Sequence, residues 1–181
     1  MQTVTLTARH YDRVTILFHW ITAILVTEQW LGAQIIDWFP RGPLRVDARS
    51  VHITLGVVLA LTIAARLFWR ATEGRRLPLA DEGVLNLIAK TTHWGLYALL
   101  IAMVLVGMAL AWTRGDSLFN LFSIPAYDPG NKALAEEIGS IHATIGWIIV
   151  GLAGLHAAAA LAHQFLWRDG VLARMIPQIK P

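Results

Sequence analysis

The residues with the clearest chemical potential are histidines set twice in the same frame. Residues 51–56 read VHITLG and residues 141–146 read IHATIG, and each opens a long apolar run. Of the seven histidines, His10 precedes the apolar runs, whereas His19, His52, His93, His142, His156 and His163 lie in or beside them. An ionisable side chain left in hydrocarbon costs several kcal/mol, so such residues mark functional sites by default. A single membrane histidine is as well explained by a hydrogen bond to a neighbouring helix; six together are not.

Their spacing narrows the chemistry. On a helix, His142 and His156 face the same way about 21 Å apart along the axis, and His163 continues that stripe. Ligands of one zinc ion each sit about 2 Å from the metal, so this pair cannot share a compact metal site. Counting inward from the outer charged residues at about 1.5 Å per residue puts His52 about 4–5 Å deep and His142 about 7–8 Å deep. The same count puts His19 at about 27 Å, His156 at about 28–29 Å, His93 at about 31–32 Å and His163 at about 39 Å. The expectation is two stacked His–His pairs, an outer one of His52 and His142 and an inner one of His156 with His19 or His93. Facing histidines from different helices, stacked through a helical bundle, are what two b-type haems require. In the repeated frame the Gly one turn after each His, Gly56 and Gly146, frees space for a macrocycle or for a close helix contact. The Thr can return its hydroxyl to the helix backbone. A histidine-rich metal or proton transporter is the competing class, but transporters more often show broken helices near midplane.

The elements that must carry these residues are membrane spans. Of 181 residues 56% are hydrophobic and only 15% charged, and the mean hydropathy is +0.53. Apolar stretches run over about 14–36, 51–69, 87–112 and 138–167, and each reaches the roughly 18–20 residues that cross a bilayer. The expected fold is an all-α integral membrane protein, one four-helix domain over residues 1–181. Ten Lys and Arg (Arg9, Arg13, Arg66, Arg70, Arg75, Arg76, Lys90, Arg168, Arg174, Lys180) fall on one side and five (Arg41, Arg45, Arg49, Arg114, Lys132) on the other. By the positive-inside rule both termini are cytoplasmic. The N-terminal segment lacks the layout of a cleaved signal peptide. Cysteine is absent, which excludes disulfides, iron–sulfur clusters and covalent haem attachment. Segment 131–137, NKALAEE, reads as a short surface helix before the fourth span. Glu28 falls mid-span, as either a proton-path residue or a structural acid.

The motifs ARHYDRVTILFHW, FPR, VHITLG, THWGLYALL, TRG, IHATIG and GLHAAAALAHQFLWRD resemble, in order and spacing, those of the prokaryotic cytochrome b561 family. The closest likeness is to its superoxide oxidase branch. The resemblance implies two haem b groups, the outer held by His52 and His142 and the inner by His19 and His156. It implies a bacterial inner-membrane enzyme that oxidises superoxide to oxygen on the periplasmic side and reduces ubiquinone near the cytoplasmic side. The quinone would lie near His163, with His93 as a second group there or a haem-propionate partner. Gln164 stands where that branch commonly has a second His. Arg41 and Arg114, in the FPR and TRG motifs, are the candidates for attracting the superoxide anion, although six outer acids (Asp37, Asp47, Asp116, Asp128, Glu136, Glu137) face five outer bases. Neither nucleic acid nor an obligatory protein partner enters this reading. The alternative is a quinol-linked cytochrome b subunit serving a dehydrogenase or hydrogenase.

Overall fold

The computed structural model describes residues 10–80 and 82–178; Arg9 and Lys180, counted above for orientation, lie outside them. Four long helices form: α1 (Arg13–Ile35), α2 (Pro43–Thr72), α3 (Gly83–Arg114) and α4 (Lys132–Ala162). All four are long and apolar enough to cross a membrane. Each starts and stops for local reasons. Asp12 caps α1, its carboxylate accepting from the Thr15 amide at 2.9 Å and the Thr15 hydroxyl at 2.7 Å. Pro43 opens α2 where a missing N–H costs nothing. Gly115, at φ 64°, ends α3 in the left-handed conformation. Asn131 caps α4 by accepting from the Leu134 amide at 3.0 Å.

Two boundaries differ from the sequence reading. NKALAEE is no separate surface helix: from Lys132 it is the first part of α4 itself. Helix α2 likewise begins at Pro43, well before the apolar stretch that opens at residue 51. Hydropathy marks where a helix meets hydrocarbon, whereas capping decides where it begins.

Within the spans, hydroxyls are satisfied by their own helix. Thr54 and Thr144, the threonines of the repeated frame, donate to the carbonyls of Ser50 (2.8 Å) and Ser140 (2.9 Å). The outward faces are apolar, with Leu61 66% and Leu155 69% exposed, as suits lipid-facing surface. The centre is a cluster of Leu59, Ile63, Leu100 and Ile149. On α4, Ile149 stands midway between His142 and His156, so this apolar plug separates the two histidine levels.

The helices pack as two hairpins. α1 lies closely against α2 and α3 against α4, while the hairpins meet less closely. Their seam includes an apolar groove of about 180 Å³ between Ile63, Ala64 and Leu67 of α2 and Ile101, Val104 and Leu105 of α3. The glycines of the repeated frame serve packing inside the hairpins. A Cβ on Gly56 would lie 3.1 Å from Gln29 Nε2, and one on Gly146 would lie 3.2 Å from Met103 Cε. Gly146 also lines an apolar cavity with Gln29, Trp30 and Met103, so its missing side chain serves an internal space as well as a close helix contact.

The ends are tied differently. At one end, the Tyr11 amide donates to the Arg174 carbonyl (3.1 Å), Arg174 donates to Pro78 O (2.7 Å), and Trp20 Nε1 to Met175 O (3.2 Å). The N-terminal, middle and C-terminal segments therefore lie together there, at the end expected to be inner. At the opposite end a two-stranded hairpin, β1 (Ser117–Leu118) and β2 (Phe122–Ser123), folds over the start of α2. Fully buried Ser50 accepts from the Phe119 amide at 2.8 Å, Arg49 meets buried Asp116 at 2.9 Å, and Asn120 donates to Asp47 at 2.8 Å. These contacts hold Phe119 (φ 51°) and Asn120 (φ 56°) in left-handed backbone.

Candidate functional site

Three helices bring histidines to α4 at two levels. At the outer level, His52 of α2 faces His142 of α4 with ring centroids 6.2 Å apart and planes at 75°. At the inner level, His19 of α1 faces His156 of α4, also at 6.2 Å and with planes at 69°. His93 of α3 approaches His156 more closely, at 5.2 Å. Each 6.2 Å pair joins one hairpin to the other across the looser seam.

These separations can be compared with what a shared metal needs. A metal–imidazole bond is about 2 Å and the ring nitrogen lies roughly 1.2 Å from its centroid, so two rings on opposite sides of one ion stand about 6.4 Å apart. His52–His142 and His19–His156 meet that spacing; His93–His156 is too close for it. Among the described residues no group of three or more His, Asp or Glu side chains converges as a metal site. Two imidazoles alone suit a metal that brings its remaining ligands with it, as iron in a porphyrin does. The Nδ1 atoms of His52 and His142 are buried without a hydrogen-bond partner, so no hydrogen bond through that nitrogen accounts for these two rings in the bundle. The residues present fit haem.

Around the outer pair, charges sort into engaged and free. Arg45 donates to the carbonyls of Phe39 (2.7 Å) and Asp37 (2.9 Å) and lies 3.5 Å from the Asp37 carboxylate. Arg49 is bound to Asp116. Arg41 and Arg114 are exposed, and neither forms an ion pair within 4.0 Å among the described residues. Arg114 lies within electrostatic reach of His142, Asp116 and Asp37. Gly107 of α3 lets the outer ring fit: a Cβ there would meet His142 Cε1 at 3.0 Å.

At the inner end α4 leaves its regular course. Residues His163–Trp167 form a π-turn, a departure frequent at functional sites, and Arg168 follows at φ 53°. The turn sets His163 Nδ1 2.5 Å from Asp169 Oδ2, and its ring 4.5 Å from that of Trp167. Burial acts to raise the Asp169 pKa, but hydrogen bonds from His163 and the Val171 amide outweigh it and hold the carboxyl below its ordinary value. An ionised carboxylate only accepts, so Nδ1 of His163 carries the proton and Nε2 is the other face of the ring.

Two features escaped sequence reasoning. Arg66, there only an orientation charge, turns into the bundle: its Nη2 lies 3.3 Å from His19 Nδ1 and its guanidinium 5.2 Å over the Tyr97 ring. Asp169 was unremarked, although a carboxylate six residues after His163 is a readable signal. Glu28, in contrast, is exposed on α1 rather than turned inward.

A four-span bundle with facing histidine pairs between its hairpins defines a membrane-bound haem protein. The sequence profile of the prokaryotic cytochrome b561 family matches residues 10–178, and the chain belongs to that family. It is 29% identical over 180 residues to cytochrome b561 homolog 2 of Escherichia coli (strain K12), covering 94% of this chain and 93% of that one. It is 27% identical over 174 residues to the probable superoxide oxidase CybB of Yersinia pestis, covering 94% and 97%. To cytochrome b561 homolog 1 of Escherichia coli (strain K12) it is 28% identical over 176 residues, covering 94% and 98%. The protein is therefore a multi-pass membrane cytochrome of a family that binds b-type haem.

Proposed function

We propose that the protein is a superoxide:ubiquinone oxidoreductase of the bacterial inner membrane, carrying two haems b. His52 and His142 are the outer ligands and His19 and His156 the inner ones, leaving His93 outside the ligand set. The observation that carries this reading is the pair of equal His–His separations, stacked on α4 between a mouth with free guanidinium groups and an end bearing a His–Asp dyad. The name of the Yersinia pestis relative supports the choice of superoxide.

In the overall reaction two superoxide anions yield two oxygen molecules and two electrons, and one ubiquinone takes up those electrons with two protons. Bound haem supplies iron that accepts and releases one electron at a time. Everything else falls to the chain. Arg45 and Arg49 neutralise Asp37 and Asp116 locally, which leaves Arg41 and Arg114 to attract a small anion to the outer mouth. Such local fields raise encounter rates by about 10- to 1,000-fold, and salt weakens them. Ser50 and the Arg49–Asp116 pair hold the hairpin over the first turns of α2 and so fix the height of His52. The plug of Leu59, Ile63, Leu100 and Ile149 keeps water from the space between the levels. At the inner end Asp169 accepts from Nδ1 of His163 and orients the ring; once Nε2 has taken up a second proton from the aqueous side, the resulting imidazolium donates that proton to a quinone carbonyl and returns to the neutral form.

The test is a visible spectrum of the purified, oxidised protein while superoxide is generated beside it with catalase present. Prompt reduction of the b-haem bands, reversed by ubiquinone, is the expected result. Bands that ignore superoxide but respond to quinol would move the protein to the quinol-linked electron-transfer subunits. For the ligands, His19→Ala is expected to lose one haem and His93→Ala to keep two; the reverse would sink the inner assignment.

A further inference from the structure

Arg66 is a cation inside a membrane span. It lies on α2 and points between His19 of α1 and Tyr97 of α3. Among the described residues no carboxylate comes within 4.0 Å of it. Among the described residues the acids on this side of the bundle are otherwise placed: the Asp12 carboxylate already receives Thr15, Trp69 and Arg75, Asp169 receives His163 and Val171, Glu73 follows the end of α2 and Glu82 precedes the start of α3. A charge at this depth is retained only where something compensates it.

Its present neighbour cannot remain its partner once the site is loaded. Arginine donates and never accepts, so its contact with His19 Nδ1 requires that nitrogen to be bare. A neutral imidazole whose Nε2 binds a metal carries its proton on Nδ1, and two donors do not bond. Loading the inner pair therefore leaves the guanidinium with the Tyr97 hydroxyl and ring but, among the described residues, with no carboxylate to balance its charge. The planar fork of arginine matches a carboxylate bidentately, and haem b carries two propionate carboxylates at its edge. Resting on the haem assignment above, we infer that Arg66 is the counter-cation of the inner haem's propionates and exchanges His19 for a propionate when haem enters. A lipid phosphate offers similar chemistry, but a guanidinium lying between α1 and α3 faces protein rather than lipid.

The test is a double cycle on the full chain. Unsubstituted protein and Arg66→Leu are each loaded with haem b or its dimethyl ester, in which the carboxylates are masked, and loss of the inner haem to excess apomyoglobin is followed. Masking the carboxylates or replacing Arg66 is expected to speed loss about tenfold, and doing both no more than either alone. The outer haem should not respond to Arg66→Leu. Arg66→Lys, which keeps the charge inside the fold, should fall between and retain its sensitivity to the ester. If the two effects multiply, or if Arg66→Lys is indifferent to the ester, the pairing is refuted while the haem assignment stands. An unsubstituted inner site that takes up neither form of haem overturns both.

Discussion

Replacing Gly107 by alanine separates the stability of the bundle from the fit of its outer site. The added methyl would lie 3.0 Å from Cε1 and 3.5 Å from Nδ1 of His142. Unbonded carbons rest about 3.5–4.0 Å apart, so the ring must retreat by roughly half an ångström or tilt. Overpacking of this kind costs about 1–3 kcal/mol. Against it, the helix gains about 1 kcal/mol when alanine replaces a mid-helix glycine, and that gain accrues with or without cofactor. The cost falls on the ring that faces His52, so it emerges as weaker binding of the outer haem, about 5- to 150-fold at 1.4 kcal/mol per factor of ten. Haem content by pyridine haemochrome, with a redox titration to resolve the two components, should show selective loss or shift of the outer one. The cofactor-free protein should unfold no earlier than before. Gly154→Ala is the control, because a Cβ there meets nothing within 4 Å; it should leave both haems in place. Gly107→Ala with two haems of unchanged potential and spectrum would refute the placement of the outer site against α3.

Three other perturbations follow from contacts at the ends. Asp12→Ala removes the acceptor of Thr15, Trp69 and the Arg75 amide and should cost about 1–3 kcal/mol, discounted because the site is largely open to solvent. Burial tends to raise the Asp12 pKa, but these hydrogen bonds depress it well below the usual carboxylate range. The stabilisation is thus present above the unfolded value of 3.8 and lost as pH falls through the lower folded one; thermal unfolding of the two proteins should converge at acid pH. Arg49→Ala strands the buried Asp116 carboxylate and should cost about 2–4 kcal/mol in chemical unfolding, whereas Arg45→Ala, opening an exposed pair, should cost about 1. Asp169→Asn should leave haem reduction by superoxide unchanged and slow reoxidation by ubiquinone about 10- to 100-fold in stopped flow, since His163 loses the partner that fixes its proton.

What the sequence disclosed depended on whether a feature is carried by one helix or by several. The fourteen-residue spacing of His142 and His156 and the apolar length of each span are single-helix properties, and they led directly to the bundle and its two levels. Arg66 was hidden because a cation near the end of an apolar run also reads as a boundary charge; only the rotation of α2 against α1 and α3 points it inward. Gly107 carries no polar signal, and its role exists only because α4 presents His142 to it. The outer clamp joins Arg49 to Asp116 and Ser50 to Phe119, across a chain separation that local patterns do not span.

The position of α4 in the chain also has a consequence for how the protein is made. On the proposed assignment it provides one axial ligand at each level, and it is the last of the four spans to leave the ribosome. A nascent chain that ends after α3 holds His19, His52 and His93 but can complete neither pair. Biogenesis is thereby ordered by geometry: on that assignment a half-synthesised chain presents only the partner histidines, and each level is completed when α4 inserts along the seam.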